Sequence, residues 1–180
     1  MAVVNDALWY LGRGAGLMSL VLLTVVVALG VASRAGRPLA GLPRFAVSAV
    51  HRNAALLAVS LLAVHVLTLL FDPYAQLKVV DLVVPFRGAY QPVWLGLGTL
   101  AFDVILAIVV TSLLRARLGV RAWRAVHWLA YAAWPLALLH GLWVGSDASE
   151  PWLLATAVTC AAVVAAGVVW RVAIPAEASR

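Results

Sequence analysis

The sequence predicts an all-α integral membrane protein, a bundle of about five transmembrane helices. Of its 180 residues, 65% are hydrophobic and only 11% are charged, and the mean hydropathy is +1.03. These values lie far beyond those of an ordinary soluble domain. The apolar residues also fall in runs of about 20 or more, the length with which an α-helix crosses a hydrocarbon core.

Five apolar runs define the predicted spans, near residues 8–32, 48–71, 93–114, 123–144 and 152–171. The first run contains Arg13 and is too long for the apolar region of a signal peptide, so we interpret it as a retained span. Together the spans and their short loops account for the whole chain, which we expect to be one membrane domain over 1–180 without a soluble catalytic domain. The segment from Tyr74 to Gln91 is too short to span the membrane and is expected to lie at the outer surface. There it could cover the outer end of the helix bundle.

Arginines concentrate in two loops, which are therefore predicted to be cytoplasmic. The loop after the first span holds Arg34, Arg37, Arg44 and Arg52, and the loop after the third holds Arg115, Arg117, Arg121 and Arg124. The opposite loops are mixed or acidic, with Asp72, Lys78, Asp81, Arg87, Asp147 and Glu150. The N-terminus is thus expected outside and the C-terminus in the cytoplasm. This topology accounts for the net charge of +6, so we expect a lipid environment and no nucleic acid partner.

All four histidines lie in predicted spans, with His51 and His65 on the second and His127 and His140 on the fourth. Both spans run outward, so His51 faces His127 near the cytoplasm and His65 faces His140 near the outside. The spacings of 14 and 13 residues separate the two levels by roughly 20 Å. One membrane histidine is usually a polar residue bonded to a neighbouring helix, but four in matched register predict axial ligands for two stacked haems.

One geometric difficulty accompanies this prediction. Fourteen residues return an α-helix to nearly the same face, whereas thirteen leave His140 about 140° away from His127. Pro135 lies between them and removes a helical hydrogen bond. We predict that Pro135 helps to re-aim His140, or that a tilt of the span has the same effect.

Three arginines are candidate partners of haem propionates. Arg13 lies in the first span among glycines, where it either meets an outer propionate or extends to the headgroups. Arg52 and Arg124 flank the inner histidines and either meet the inner propionates or serve only the topology.

Three further residue types have weaker interpretations. Asp103, predicted to be the one buried acid, is a proton carrier or a partner for another helix. Most of the eight tryptophans are expected to be interfacial anchors. Cys160 excludes a disulfide framework because it is the only cysteine.

The histidine segments resemble the ferric reductase-like transmembrane domain, a family that includes the NADPH oxidases, the ferric reductases and the haem subunit of the periplasmic methionine-sulfoxide reductase system. The resemblance rests on His51-Arg52 with Val64-His65-Val66, on the segments 123–131 and 139–141, and on Arg13. It implies two b haems with bis-histidine ligation, the inner on His51 and His127 and the outer on His65 and His140. It also implies that electrons pass outward from the cytoplasm.

The larger members of that family carry a flavin and nicotinamide domain after the last span, and this sequence has no glycine-rich dinucleotide fingerprint. We therefore expect no FAD or NAD site in this chain and a separate donor, either a cytoplasmic flavoprotein or quinol. Ferric iron, oxygen or a partner reductase is the expected external acceptor. The chain is thus predicted to be an oxidoreductase component, and whether it is catalytic alone stays open.

Three alternatives remain at this stage. The chain could be a quinol-linked cytochrome subunit of a larger dehydrogenase, which would purify with further subunits. It could instead be a transporter that uses its histidines for a metal ion or protons, and such a protein would be colourless. A purely structural subunit would leave the four histidines in register without a purpose.

Overall fold

The computed structural model describes residues 2–34, 43–145 and 148–173, so Arg37 and Asp147 of the topology prediction lie outside the described residues. These ranges form helices and turns, without a β-strand among them. The six α-helices are α1 (Ala2–Arg34), α2 (Arg44–Phe71), α3 (Pro92–Leu113), α4 (Arg115–His127), α5 (Ala130–Trp143) and α6 (Pro151–Ala173). A 3₁₀ turn at Val79–Leu82 lies between α2 and α3.

Four of these helices are long and apolar enough to cross a membrane, namely α1, α2, α3 and α6. They confirm the first, second, third and fifth predicted spans within a few residues. The chain is therefore a multi-pass helical membrane protein.

The fourth predicted span, 123–144, is wrong as one continuous helix. Residues 115–127 form α4 and residues 130–143 form α5, with a turn at Trp128 and Leu129 between them. Part of the predicted arginine-rich loop is thus helical. All of its residues from Arg115 to Ala122 are exposed, and the backbone breaks at Gly119, which has a φ of +78°.

The α1 and α2 helices pack as an antiparallel pair along most of their length. The register between the two helices is constant: moving a given number of residues forward along α1 corresponds to moving the same number backward along α2. The Ser19 hydroxyl in α1 donates to the Ala58 carbonyl in α2 over 3.0 Å. Ser19 and Ala58 are both almost fully buried, as expected where small residues let two membrane helices approach closely.

The α3 and α5 helices form a second pair, and α1 also contacts α5 and α6. The buried centre consists of Leu20 on α1, Trp134 on α5 and Cys160 on α6. The Trp134 indole donates to the Thr24 hydroxyl over 2.9 Å, and that hydroxyl donates to the Leu20 carbonyl. Cys160 is therefore a small core residue.

The two helix pairs leave α2 opposite α5 without the extensive backbone packing seen inside each pair, as far as the described residues extend. Side chains therefore bridge the space between α2 and α5.

Substitution of Ala58 by Leu tests the packing of the first pair. Ala58 has no exposed surface, so the larger side chain must push α1 and α2 apart. We expect a loss of about 1–3 kcal/mol in the free energy of unfolding, the usual effect of overpacking. Thermal denaturation of the purified protein in detergent measures this loss. Ala63→Leu is the matched control because Ala63 lies exposed on the same helix, and equal melting temperatures for the two variants would contradict the packing.

Candidate functional site

The four histidines form two facing pairs between α2 and the α4–α5 segment. The ring centroids of His51 and His127 are 6.3 Å apart with planes inclined by 57°. Those of His65 and His140 are 6.2 Å apart with planes inclined by 79°. Both predicted pairs are confirmed as spatial neighbours, and their rings bridge the space between the two helix pairs.

Three of the imidazoles are hydrogen-bonded through Nδ1 to main-chain carbonyls of neighbouring helices. His51 bonds to Val26 over 3.0 Å, His65 to Gly12 over 2.7 Å and His140 to Trp94 over 2.9 Å. A carbonyl oxygen only accepts, so each Nδ1 carries the proton and donates. The same tautomer leaves the Nε2 lone pair free to bind a metal, and this outer hydrogen bond is the usual way in which proteins orient a histidine ligand.

The levels of the two pairs are set by the register of α1 against α2. His51 and His65 are 14 residues apart on α2, and their carbonyl partners, Val26 and Gly12, are also 14 residues apart on α1. Fourteen residues correspond to about 21 Å along a helix and to nearly four whole turns. Both imidazoles therefore leave the same face of α2, at equal distances on either side of the middle of its apolar span Phe45–Phe71.

The chain between His127 and His140 is wound more tightly than an α-helix, which contributes to the pairing of His140 with His65. Leu129 N–H donates to Val126, Tyr131 N–H to Trp128 and Ala132 N–H to Leu129, all bonds of the 3₁₀ type. Each 3₁₀ residue adds about 20° of rotation relative to an α-helix, so the three bonds supply roughly 60° of the ~140° that separate His140 from the face of His127 in a regular α-helix. The tight turns lie just before Pro135, which has no N–H to donate to the preceding helical turn.

The paired geometry fits a six-coordinate haem. Two imidazoles that each bind one metal ion at about 2.0 Å have ring centroids roughly 6.3 Å apart, close to both separations in this structure. A bis-histidine haem needs only these two protein ligands, because the porphyrin supplies the other four. Among the described residues, no group of three or more histidine, cysteine or acidic side chains is placed to hold a metal ion.

The candidate arginines occupy different settings. The Arg13 guanidinium is partly buried and lies over the Trp9 ring, 5.2 Å from its centroid. Arg52 and Arg124 are exposed beside the inner pair. Their predicted contact with propionates stays a prediction.

The aromatic side chains around the site are more involved than the anchor interpretation implies. Trp123 stacks near His127, with ring centroids 5.0 Å apart, and Trp94 stacks on Trp143 at 5.4 Å. The Arg115 guanidinium lies 4.2 Å from the centroid of the Trp123 ring. Trp134 is buried in the core.

The prediction that Asp103 is the one buried acid is wrong. Asp103 is only partly buried, whereas Asp72 and Asp81 are 2% and 5% exposed. Both lie in the connection between α2 and α3, residues 72–91, called the outer segment after its predicted side of the membrane. There they organise the backbone, because Tyr74 N–H donates to Asp72 and Lys78 N–H donates to Asp81. Aspartate commonly accepts backbone N–H bonds in turns of this kind.

The outer segment folds back onto the beginning of α3, next to Trp94 and hence to the outer pair. The Thr99 hydroxyl donates to the Asp81 carbonyl over 2.7 Å. Phe86 adopts a φ of +67° and covers Gly96, where a Cβ would come within 2.6 Å of the Phe86 nitrogen. Phe86 therefore lies at the outer end of the site, while Arg87 is exposed.

These features define a multi-pass helical membrane protein in which two stacked pairs of imidazoles face each other between helices. In a comparison with protein families, residues 15–138 match the ferric reductase like transmembrane component. The match covers more than half of the chain, which therefore belongs to this family. Members act in transmembrane electron transfer and generally bind haem. No curated protein and no solved structure matches the chain.

Substitution of Gly96 by Ala tests the attachment of the outer segment. The new methyl group would collide with the Phe86 ring and with its backbone nitrogen, and the backbone cannot move aside as a flexible side chain can. We expect faster amide hydrogen exchange over residues 79–88, because the segment loses its contact with α3. Gly141→Ala is the control, since nothing lies within 4 Å of its added methyl group. Unchanged exchange in Gly96→Ala would contradict this attachment.

Proposed function

We propose that this chain is a di-haem b-type cytochrome that carries electrons across the membrane from a cytoplasmic donor to an external acceptor. The observation that carries the proposal is the geometry of the two histidine pairs, whose separations fit bis-histidine haem and whose carbonyl partners free Nε2 for iron. When bound, the haems supply one-electron carriers at two depths. Family membership supports the general activity.

In this proposal His51 and His127 hold the inner haem, and His65 and His140 hold the outer one. Arg52 and Arg124 lie near the inner pair. Arg13 directly follows Gly12, whose carbonyl is the partner of His65. We assign these arginines to the propionates, because a guanidinium near the membrane is stabilised by an anionic partner. With both axial positions filled by histidine, an acceptor would take electrons at the outer haem edge.

The proposed topology has five crossings, with the end of α4 and all of α5 forming the fourth. Residues 123–143 reach about 30 Å when helical, enough for a hydrocarbon core. The arginines of α4 then lie in the cytoplasm, the N-terminus lies outside and the C-terminus lies inside.

The donor and the acceptor follow from this topology as chemical classes. A cytoplasmic flavoprotein or a quinol would reduce the inner haem beside α4. Ferric iron, oxygen or a docked reductase would be reduced outside, near the segment that carries Phe86 and Arg87.

Haem content tests the proposal directly. We expect two low-spin b haems per chain in protein purified from haem-replete cells, by absorption spectroscopy and pyridine haemochrome assay. His51→Ala or His127→Ala should lose the inner haem, and His65→Ala or His140→Ala the outer one. Ser60→Ala, exposed on α2 between the two levels, is the control and should keep both. A folded wild-type protein without a Soret band would contradict the proposal and favour transport of a metal ion or protons.

Substitution of Pro135 by Ala tests how His140 is aimed. The alanine N–H can bond to the Tyr131 carbonyl and favours a regular α-helix, which would turn His140 away from His65. We expect lower occupancy of the outer haem with the inner haem retained, measured as haem per chain. Leu139→Ala is the control because Leu139 is exposed on the same helix. Full outer-haem occupancy in Pro135→Ala would show that Pro135 is not needed for this aim.

A further inference from the structure

The three carbonyls bonded by histidines share one local pattern: each is followed four residues later by a glycine. Gly16 follows Gly12 in this way, Gly30 follows Val26, and Gly98 follows Trp94. Each of these glycines also lies against the ring that bonds to the preceding turn: Gly16 against His65, Gly30 against His51 and Gly98 against His140. The arrangement thus occurs on two different helices and at both haem levels.

Helix geometry explains why this position matters. A side chain on an α-helix points back towards the N-terminus, so the Cβ of a residue lies over the carbonyl four positions earlier. An imidazole from another helix reaches that carbonyl only if this space is empty. Glycine is the one residue that leaves it empty.

The fit is tight at the outer pair and loose at the inner one. A Cβ on Gly16 would lie 2.7 Å from His65 Nδ1, and one on Gly98 would lie 2.5 Å from His140 Nδ1. Both distances are shorter than any contact that a real methyl group makes with a ring. On Gly30 the nearest approach, to His51 Cε1, is 3.5 Å, an ordinary van der Waals contact.

We propose that Gly16 and Gly98 are positioning residues of the outer haem, which admit His65 and His140 to the carbonyls of Gly12 and Trp94 and so fix the direction of each Nε2. This inference rests on the proposed haem function. The surface of Gly16 is occupied by the His65 ring itself.

The two hydrogen bonds have a chemical consequence at the iron. An imidazole that donates its Nδ1 proton to a carbonyl is a more basic ligand through Nε2, and a more basic ligand stabilises the oxidised metal. Removal of either bond should therefore move the reduction potential of the outer haem to a more positive value, or weaken its binding.

The test compares Gly16→Ala and Gly98→Ala with Gly14→Ala and Gly141→Ala in the full chain. The two controls introduce the same methyl group into α1 and α5, where nothing lies within 4 Å of it. Haem per chain and a potentiometric titration followed at the Soret band are the readouts. We expect the outer haem to shift to a more positive potential or to be lost in the two test variants, with the inner haem unchanged, and no change in the controls.

The outcomes separate this inference from the proposed function. A wild-type protein without haem would contradict the proposed function itself. Two haems with wild-type potentials in both Gly16→Ala and Gly98→Ala would overturn the inference alone.

A second measurement decides the matter if the alanine variants do not assemble. His65→Gly opens a space that added imidazole can fill, whereas 1-methylimidazole has a methyl group in place of the N–H that the Gly12 carbonyl would accept. We expect imidazole, and not 1-methylimidazole, to restore the low-spin outer haem spectrum. Equal restoration by the two compounds would overturn the role of the carbonyl bond.

Discussion

The site depends on one constraint, that an imidazole placed among membrane helices must satisfy both ring nitrogens without water. In His51, His65 and His140 the helix carbonyls of Val26, Gly12 and Trp94 accept the proton of Nδ1. The rings of each pair have centroids 6.3 and 6.2 Å apart, a separation that fits two imidazoles bound to one metal ion. The same bonds that remove the cost of burying a polar ring also select the tautomer whose Nε2 lone pair is available to a metal. The same Nδ1–carbonyl hydrogen bonds thus allow each ring to be buried and set the direction of its Nε2.

The packing of the helices serves this arrangement. Because α1 and α2 keep one antiparallel register over most of their length, two carbonyls on α1 meet two histidines on α2 with equal spacing. The α3 helix provides the corresponding carbonyl for α5, through Trp94. The α1–α2 pair therefore orients two histidines and the α3–α5 pair orients one, and the facing rings meet between the pairs.

Much of this could be predicted from the sequence, because the decisive signals were local. Hydropathy defines four membrane spans to within a few residues, and the spacing of His51, His65, His127 and His140 is enough to predict their pairing. The break at Trp128 could not be predicted, since its apolar neighbours continue the hydropathy of the span and only the proline signals the rewinding. The burial of Asp72 and Asp81 depends on how the outer segment folds onto α3, which no local pattern reports. The carbonyl partners depend on the register between helices, although the glycines that admit the rings were visible in the sequence.

Low-temperature electron paramagnetic resonance of the oxidised protein tests the central claim most directly, because it reports both the ligands and the angle between their planes. The account predicts two low-spin ferric signals of equal intensity. One of them should be of the highly anisotropic type that nearly perpendicular imidazole planes produce, as expected from the 79° angle of His65 and His140. A high-spin ferric signal, or no ferric haem signal in folded protein, would contradict the account.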